Sequence, residues 1–131
     1  MAAIPEKYLD LLVRPVLVSL ATVMPDGSPQ VTPVWADFDG TYIRINTAAG
    51  RQKHKNMAAR PQVTVMAFDP ENTGRYMEVR GRVARISDEG GDGHIDTLAH
   101  KYLGVETYPY RNAAETRLIC YVEPQKVLAQ G

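Results

Sequence analysis

Apolar residues recur along this chain with two periods, and the two alternate in a definite order. Tyr8, Leu11 and Leu12 fall at i, i+3, i+4 within Ile4 to Val13, which predicts a short opening helix that Arg14-Pro15 ends. Val16 to Met24 reads as a first strand, Pro25-Asp26-Gly27-Ser28 as a turn, and Val31 to Phe38 as a second strand. Asp39-Gly40 is a hairpin signal that returns the chain along Thr41 to Asn46. Gly50 to Arg60 is predicted as a helix. Gln62 to Phe68 follows, apolar on both faces as expected of a central strand in a closed sheet. After a loop over Asp69 to Gly74, Arg75 to Ser87 forms a long strand with Gly81 placed to let it bend. Ile95, Leu98 and Tyr102 mark a helix over His94 to Leu103, closed by Gly104. Val105 to Glu115 is irregular, Thr116 to Val122 is the last strand, and a tail runs through Pro124. Six strands with helices too few for a βαβ series predict a mainly β, α+β fold: a six-stranded antiparallel barrel with a few flanking helices.

Two features break the pattern. Pro29 and Pro33 lie in or beside the second strand, and proline cannot donate to a ladder. That strand is therefore expected at an edge or bulged, either as a backbone shelf for a flat ligand or as a defence against edge pairing. The second feature is the helix Gly50-Arg51-Gln52-Lys53-His54-Lys55-Asn56-Met57-Ala58-Ala59-Arg60. A helix start carries partial positive charge and disfavours bases by roughly 0.3–1 kcal/mol each. Arg51, Lys53 and Lys55 nevertheless crowd it, with no acid among them. An anion docked at the helix start accounts for the arrangement; a solvated basic face is the plainer explanation.

Composition narrows the choice. The chain of 131 residues is expected to form one domain, residues 1–131. Its hydrophobic fraction of 44% and charged fraction of 23% are ordinary for a globular protein, and its formal net charge of zero argues against general nucleic-acid or membrane binding. The one cysteine, Cys120, sits in an apolar run as a small core residue, and no signal peptide or membrane-length apolar segment is visible; together these fit the cytoplasm.

Side chains that could do chemistry by themselves are scarce. His54, His94 and His100 stand apart with no ligand partner at metal spacing, so no metal site is expected, and His94 with Asp96 near a helix start can form a local cap. No GxSxG, HExxH or P-loop occurs, and no carboxylate pair stands out, which leaves the catalytic residues unassigned. The residues favour holding an anionic cofactor that brings its own reactivity. Thr47 before the basic helix, Arg51, Lys53, Lys55, Asn56, and Arg75-Tyr76 at the start of the long strand are the candidates. Trp35 can pack on a ring, on a neighbouring subunit or, as is commoner for a lone aromatic, in the core.

The run Val18-Ser19-Leu20-Ala21-Thr22-Val23 followed by Asp26-Gly27-Ser28-Pro29-Gln30-Val31-Thr32-Pro33-Val34-Trp35 resembles the opening of the pyridoxamine 5′-phosphate oxidase-like, split β-barrel flavin-binding superfamily. Gly50 to Met57 resembles its G-R-x-K-x-x-N-hydrophobic helix, and Tyr76 to Val83 its later strand. His94-Ile95-Asp96, Lys101 to Gly104 and Tyr108-Pro109-Tyr110-Arg111 are similar to one branch, the actinobacterial F420-dependent flavin/deazaflavin oxidoreductases of the B type. The resemblance covers nearly the whole chain.

It implies a homodimer of FMN-binding-type split barrels, with two cofactor sites at the subunit interface. The cofactor ring would lie along Gln30, Val31, Thr32, Pro33 and Val34. Its phosphate-bearing tail would meet Thr47, Arg51, Lys53 and Asn56. Gly74, Arg75 and Tyr76 would line the site from the other subunit, and Tyr108 and Arg111 would reach it too. The implied cofactor is coenzyme F420, with FMN as the alternative. Reduced F420 would pass a hydride to an electron-poor small organic substrate such as an enone, quinone or tetrapyrrole. Arg51, Lys53, Lys55, Arg60 and Arg75 together suit an extended anion better than one compact phosphate. Two other readings remain: a flavin or deazaflavin carrier without turnover, and a nucleic-acid-binding barrel that stacks bases on Tyr108, Tyr110 and Trp35. Zero net charge and 8% aromatic residues make the last the weakest.

Overall fold

The structure is a computed structural model and describes residues 1–131. A 3₁₀ turn over Glu6–Tyr8 and a single-turn helix α1 (Asp10–Val13) precede the sheet, in place of one continuous helix. Leu9 to Val13 keep the expected apolar face, since Leu11 and Leu12 are both fully buried. Seven strands follow: β1 (Val18–Val23), β2 (Pro29–Val34), β3 (Ala36–Phe38), β4 (Ile43–Ala48), β5 (Gln62–Asp69), β6 (Asn72–Ser87) and β7 (Arg117–Gln130). Helix α2 (Gln52–Ala59) lies between β4 and β5, and α3 (Gly91–Leu103) between β6 and β7.

All strand pairs are antiparallel, in the order β2-β1-β5-β6-β7-β4-β3. The strand expected over Val31 to Phe38 is two strands, and this is the one difference in strand count. β2 pairs with β1 and β3 with β4, at opposite ends of the sheet order, yet only Trp35 separates them in the chain. The ends of the curled sheet therefore meet at Trp35, which makes a split barrel. The two prolines of β2 occupy the same parity of the strand, opposite Ser19 and Val23. Alternate residues of an antiparallel strand face away from the neighbour, so both missing N–H groups can sit on the free edge.

The turn chemistry is as expected. Asp26 accepts from the Ser28 N–H at 2.9 Å, and Asp39 from the N–H groups of Thr41 and Tyr42 at 2.8 and 2.7 Å. Gly81 marks a register shift in β6, where an added Cβ would stand 2.7 Å from the Glu123 carbonyl oxygen. That bulge places Gly81 opposite Pro124, so β7 passes the proline and continues to Gln130 instead of stopping at Val122. The core lies inside the curl and includes Leu11, Leu12, Leu20, Ile43, Ile45, Met57, Val65, Met77, Val79 and Val122. Each such side chain contributes about 1.5–3 kcal/mol on burial.

Candidate functional site

A cleft of about 260 Å³ opens where the barrel is split. Pro33, Val34 and Trp35 supply the seam, Asn46 and Thr47 the end of β4, Arg51 and Lys53 the start of α2, Ile95 a turn of α3, and Arg117 the head of β7. Tyr108 and Tyr110 wall it from the segment between α3 and β7. Three cations line this cleft and no acid does. The nearest carboxylate is Glu115, which pairs with Arg51 at 3.0 Å and stands 3.9 Å from Arg117 Nη1, too far for a hydrogen bond.

The charges are uncomfortable as they stand. Burial and the neighbouring Arg51 and Arg117 lower the Lys53 pKa. Burial likewise lowers that of Arg117, with Tyr108 and Glu115 opposing and Arg51 adding to the effect. Two buried side-chain atoms lack any hydrogen-bond partner, Thr47 Oγ1 and Arg117 Nη1, and both belong to residues of this cleft. An unsatisfied buried polar group costs about 1–3 kcal/mol, more when charged. A bound anion would relieve the repulsion and supply acceptors for both atoms.

α2 is shorter than expected, about two turns, with Arg51 at its N-cap, Lys53 at its second helical position and no side-chain cap. The Gly50 N–H instead donates to His54 Nδ1 at 2.9 Å. Asn56 does not reach the cleft. It is fully buried and donates to Thr22 Oγ1 at 3.0 Å and to Gln30 Oε1 at 3.3 Å. Gln52 and Arg60 donate to its side-chain Oδ1 at 2.8 and 3.2 Å. Asn56 and Gln30 thus clamp α2 to the β1–β2 hairpin and fix where Lys53 stands.

Of the residues expected at the site, Pro33, Val34, Thr47, Arg51 and Lys53 converge on this cleft. Val31 and Thr32 lie on the same edge strand, Val31 exposed and Thr32 half-buried. Gly74, Arg75 and Tyr76 lie elsewhere on the chain. Arg75 donates to Asp10 at 2.6 Å, to Asp69 at 3.3 Å and to the Lys7 carbonyl at 2.6 Å. Tyr76 joins Met66, Phe68 and Thr73 around a shallow apolar hollow. Arg111 is exposed and pairs with Asp96, which also accepts from the Tyr108 N–H at 2.8 Å. Arg111 therefore holds the wall of the cleft in place and does not line it.

Arg117 was not among the expected site residues. An arginine at the head of an apolar strand looks like a solvent-exposed strand end, and its burial depends on Asn46 and α3, both distant in sequence. Trp35 stacks on Tyr102, with ring centroids 5.3 Å apart and planes 6° from parallel, and meets Tyr108 edge-on at 6.1 Å.

The chain matches the family described as pyridoxamine 5′-phosphate oxidase over residues 4–131. It belongs to that family. A solved protein named F420 reductase superposes with a TM-score of 0.86 at 39% identity, over 95% of this chain and 98% of that one. A conserved hypothetical protein of Mycobacterium tuberculosis superposes with a TM-score of 0.76 at 23% identity, over 97% of this chain and 84% of that one, a likeness of fold. The pyridoxine/pyridoxamine 5′-phosphate oxidase of Rhodopseudomonas palustris (strain BisB18) is 32% identical over 84 residues. That match spans 63% of this chain and 39% of the relative's length. The residues of the cleft fit a phosphate-bearing ring cofactor. Convergent cations, unpartnered buried polar atoms and aromatic walls suit a phosphorylated ring system. No helix is long and apolar enough to cross a membrane.

Proposed function

We propose that this protein is a cytoplasmic oxidoreductase that uses reduced coenzyme F420 to transfer a hydride to an electron-poor small organic substrate. The observation that carries the proposal is the acid-free cleft of Arg51, Lys53 and Arg117, with Thr47 Oγ1 and Arg117 Nη1 unpartnered beside an edge strand. The similarity to a protein named F420 reductase supports the choice of cofactor. The five spaced bases lend it less support than their number implied, since Arg60 is bound to the Val23 carbonyl at 2.7 Å and Arg75 to Asp10.

In this reading Arg51, Lys53, Arg117 and Thr47 hold the phosphate-bearing tail. Pro33 and Val34 offer a flat edge for the ring. When bound and reduced, F420 supplies the hydride. Trp35, Tyr108 and Tyr110 exclude water from the ring's surroundings and orient an acceptor against it. Homodimerisation completes the site, with Gly74 and Tyr76 contributed by the second subunit and Arg75 bracing that edge through Asp10 and Asp69. The exposed Val31 and Phe68 and the hollow around Tyr76 are the kind of surface a second copy would cover.

FMN is the alternative cofactor, because three converging cations also satisfy one compact phosphate. The test is oxidation of reduced F420, followed by the return of its absorbance, with enone, quinone and tetrapyrrole acceptors. Turnover with any of them supports the proposal. Tight F420 binding with no turnover makes the protein a carrier. Turnover with reduced FMN but not F420 selects the alternative.

A further inference from the structure

We infer that Asn46 and His94 are positioning residues for Arg117, holding its guanidinium as the innermost cation of the cleft. The inference rests on the reading of that cleft as an anion site.

Arg117 Nε donates to Asn46 Oδ1 at 2.8 Å. The two amide hydrogens of Asn46 go to the Gly91 carbonyl at 2.9 Å and to His94 Nδ1 at 3.2 Å. With both taken, Oδ1 must face the arginine. A flipped amide would set its NH₂ against a guanidinium and its oxygen against a carbonyl. As the acceptor, His94 Nδ1 carries no proton, so Nε2–H donates to Asp37, 3.2 Å from Oδ1 and 3.3 Å from Oδ2. Arg44 grips the same carboxylate with two bonds, at 2.9 and 2.7 Å. Each donor in this row fixes the next acceptor, from Arg44 near the surface to Arg117 in the cleft.

Two facts tie the row to the cleft as well as to core stability. It ends on the arginine whose Nη1 has no partner. In addition, a Cβ at Gly91 would stand 2.1 Å from the Arg117 carbonyl oxygen, so the first turn of α3 packs directly on that residue's backbone. His94, one turn along α3, is thereby held in a constant relation to Arg117.

The test is a double-mutant cycle read by binding, with F420 and inorganic pyrophosphate as separate probes and melting temperatures recorded alongside. His94→Leu is expected to weaken binding of both probes about tenfold, because Asn46 loses the acceptor that keeps its Oδ1 turned to Arg117. In an Arg117→Ala background the same change is expected to alter affinity less than about twofold. His94→Asn returns an acceptor near the Nδ1 position and should recover most of the affinity. Should His94→Leu fail to fold, Asp37→Asn at the outer end of the row carries the same prediction at smaller size. Equal losses in both backgrounds, or no loss with Arg117 intact, overturn the inference. Coupled loss for pyrophosphate in a protein that does not bind F420 sinks the cofactor assignment and leaves the positioning role standing. A native protein that binds neither probe overturns both.

Discussion

Replacing Lys53 with methionine should make the cofactor-free protein more stable and its cofactor binding weaker. Lys53 sits at the second position of α2, where the helix start disfavours a cation by about 0.3–1 kcal/mol. Arg51 and Arg117 add repulsion, and burial adds a desolvation cost; all three lower its pKa. Because Lys53 is only half-buried, the repulsion is discounted for solvent screening. The sum is a gain of about 0.5–1 kcal/mol for Lys53→Met, which keeps the aliphatic packing. For a domain of this size that is a rise of about 2–5 °C in Tm. The gain should shrink as salt screens the three cations. Binding moves the other way: losing a charged hydrogen bond to a phosphate costs about 1.5–3 kcal/mol, or about 10- to 150-fold in Kd. The pH dependence has a definite sign. A lysine whose folded pKa is lowered holds its proton more weakly in the folded state. Stability therefore rises with pH through the window from that lowered value to the ordinary 10.5, and Lys53→Met should lack this rise. Thermal melts of both proteins across pH and salt, with and without F420, read all of these effects. A Tm several degrees lower without ligand, with F420 affinity intact, would refute the reasoning and make Lys53 a structural residue.

Three further predictions concern the frame around the cleft. Gly91→Ala should cost about 3 kcal/mol or more, because the added carbon meets a strand carbonyl that cannot move aside; chemical denaturation checks it. Asn56→Ala should cost about 2–3 kcal/mol in the same assay, since it removes a bond from each of Thr22, Gln30, Gln52 and Arg60, and F420 affinity should fall only as α2 loosens. Lys101 donates to the carbonyls of Leu12 and Ala36, each at 2.6 Å, while burial lowers its pKa to about 8. Its folded state releases the proton first, so stability should rise by about 1 kcal/mol between pH 8 and 10.5, after discounting for partial exposure, and Lys101→Met should flatten that rise in melts.

The hairpins were legible in the sequence because their chemistry is local. Asp26-Gly27-Ser28 and Asp39-Gly40 carry acceptor and flexible backbone within a few residues, and Gly81 marked the bend in the long strand. The break at Trp35 was not legible. Val34 and Ala36 are both apolar and continue one pattern, and only pairing with β1 on one side and β4 on the other divides them. Pro124 read as the end of pairing, whereas a bulge around Gly81 accommodates it.

At the site, the cations of α2 stood out by being wrongly placed for a helix start. Arg75 and Asn56 bore the same polar signature, but Asp10, Asp69, Thr22 and Gln30 occupy them within the chain. A linear sequence does not display such satisfaction by distant partners. Arg117 is the converse: it looked ordinary until Asn46, Gly91 and His94 assembled around it.

The central claim, that the acid-free cleft at the barrel's seam holds a phosphate-bearing deazaflavin, is tested most directly by titrating the purified protein with F420 and FMN and following ligand fluorescence. Micromolar or tighter F420 binding is expected, and its loss when Lys53 and Arg117 are both replaced. Micromolar affinity for neither cofactor, or F420 binding indifferent to that double replacement, would contradict it.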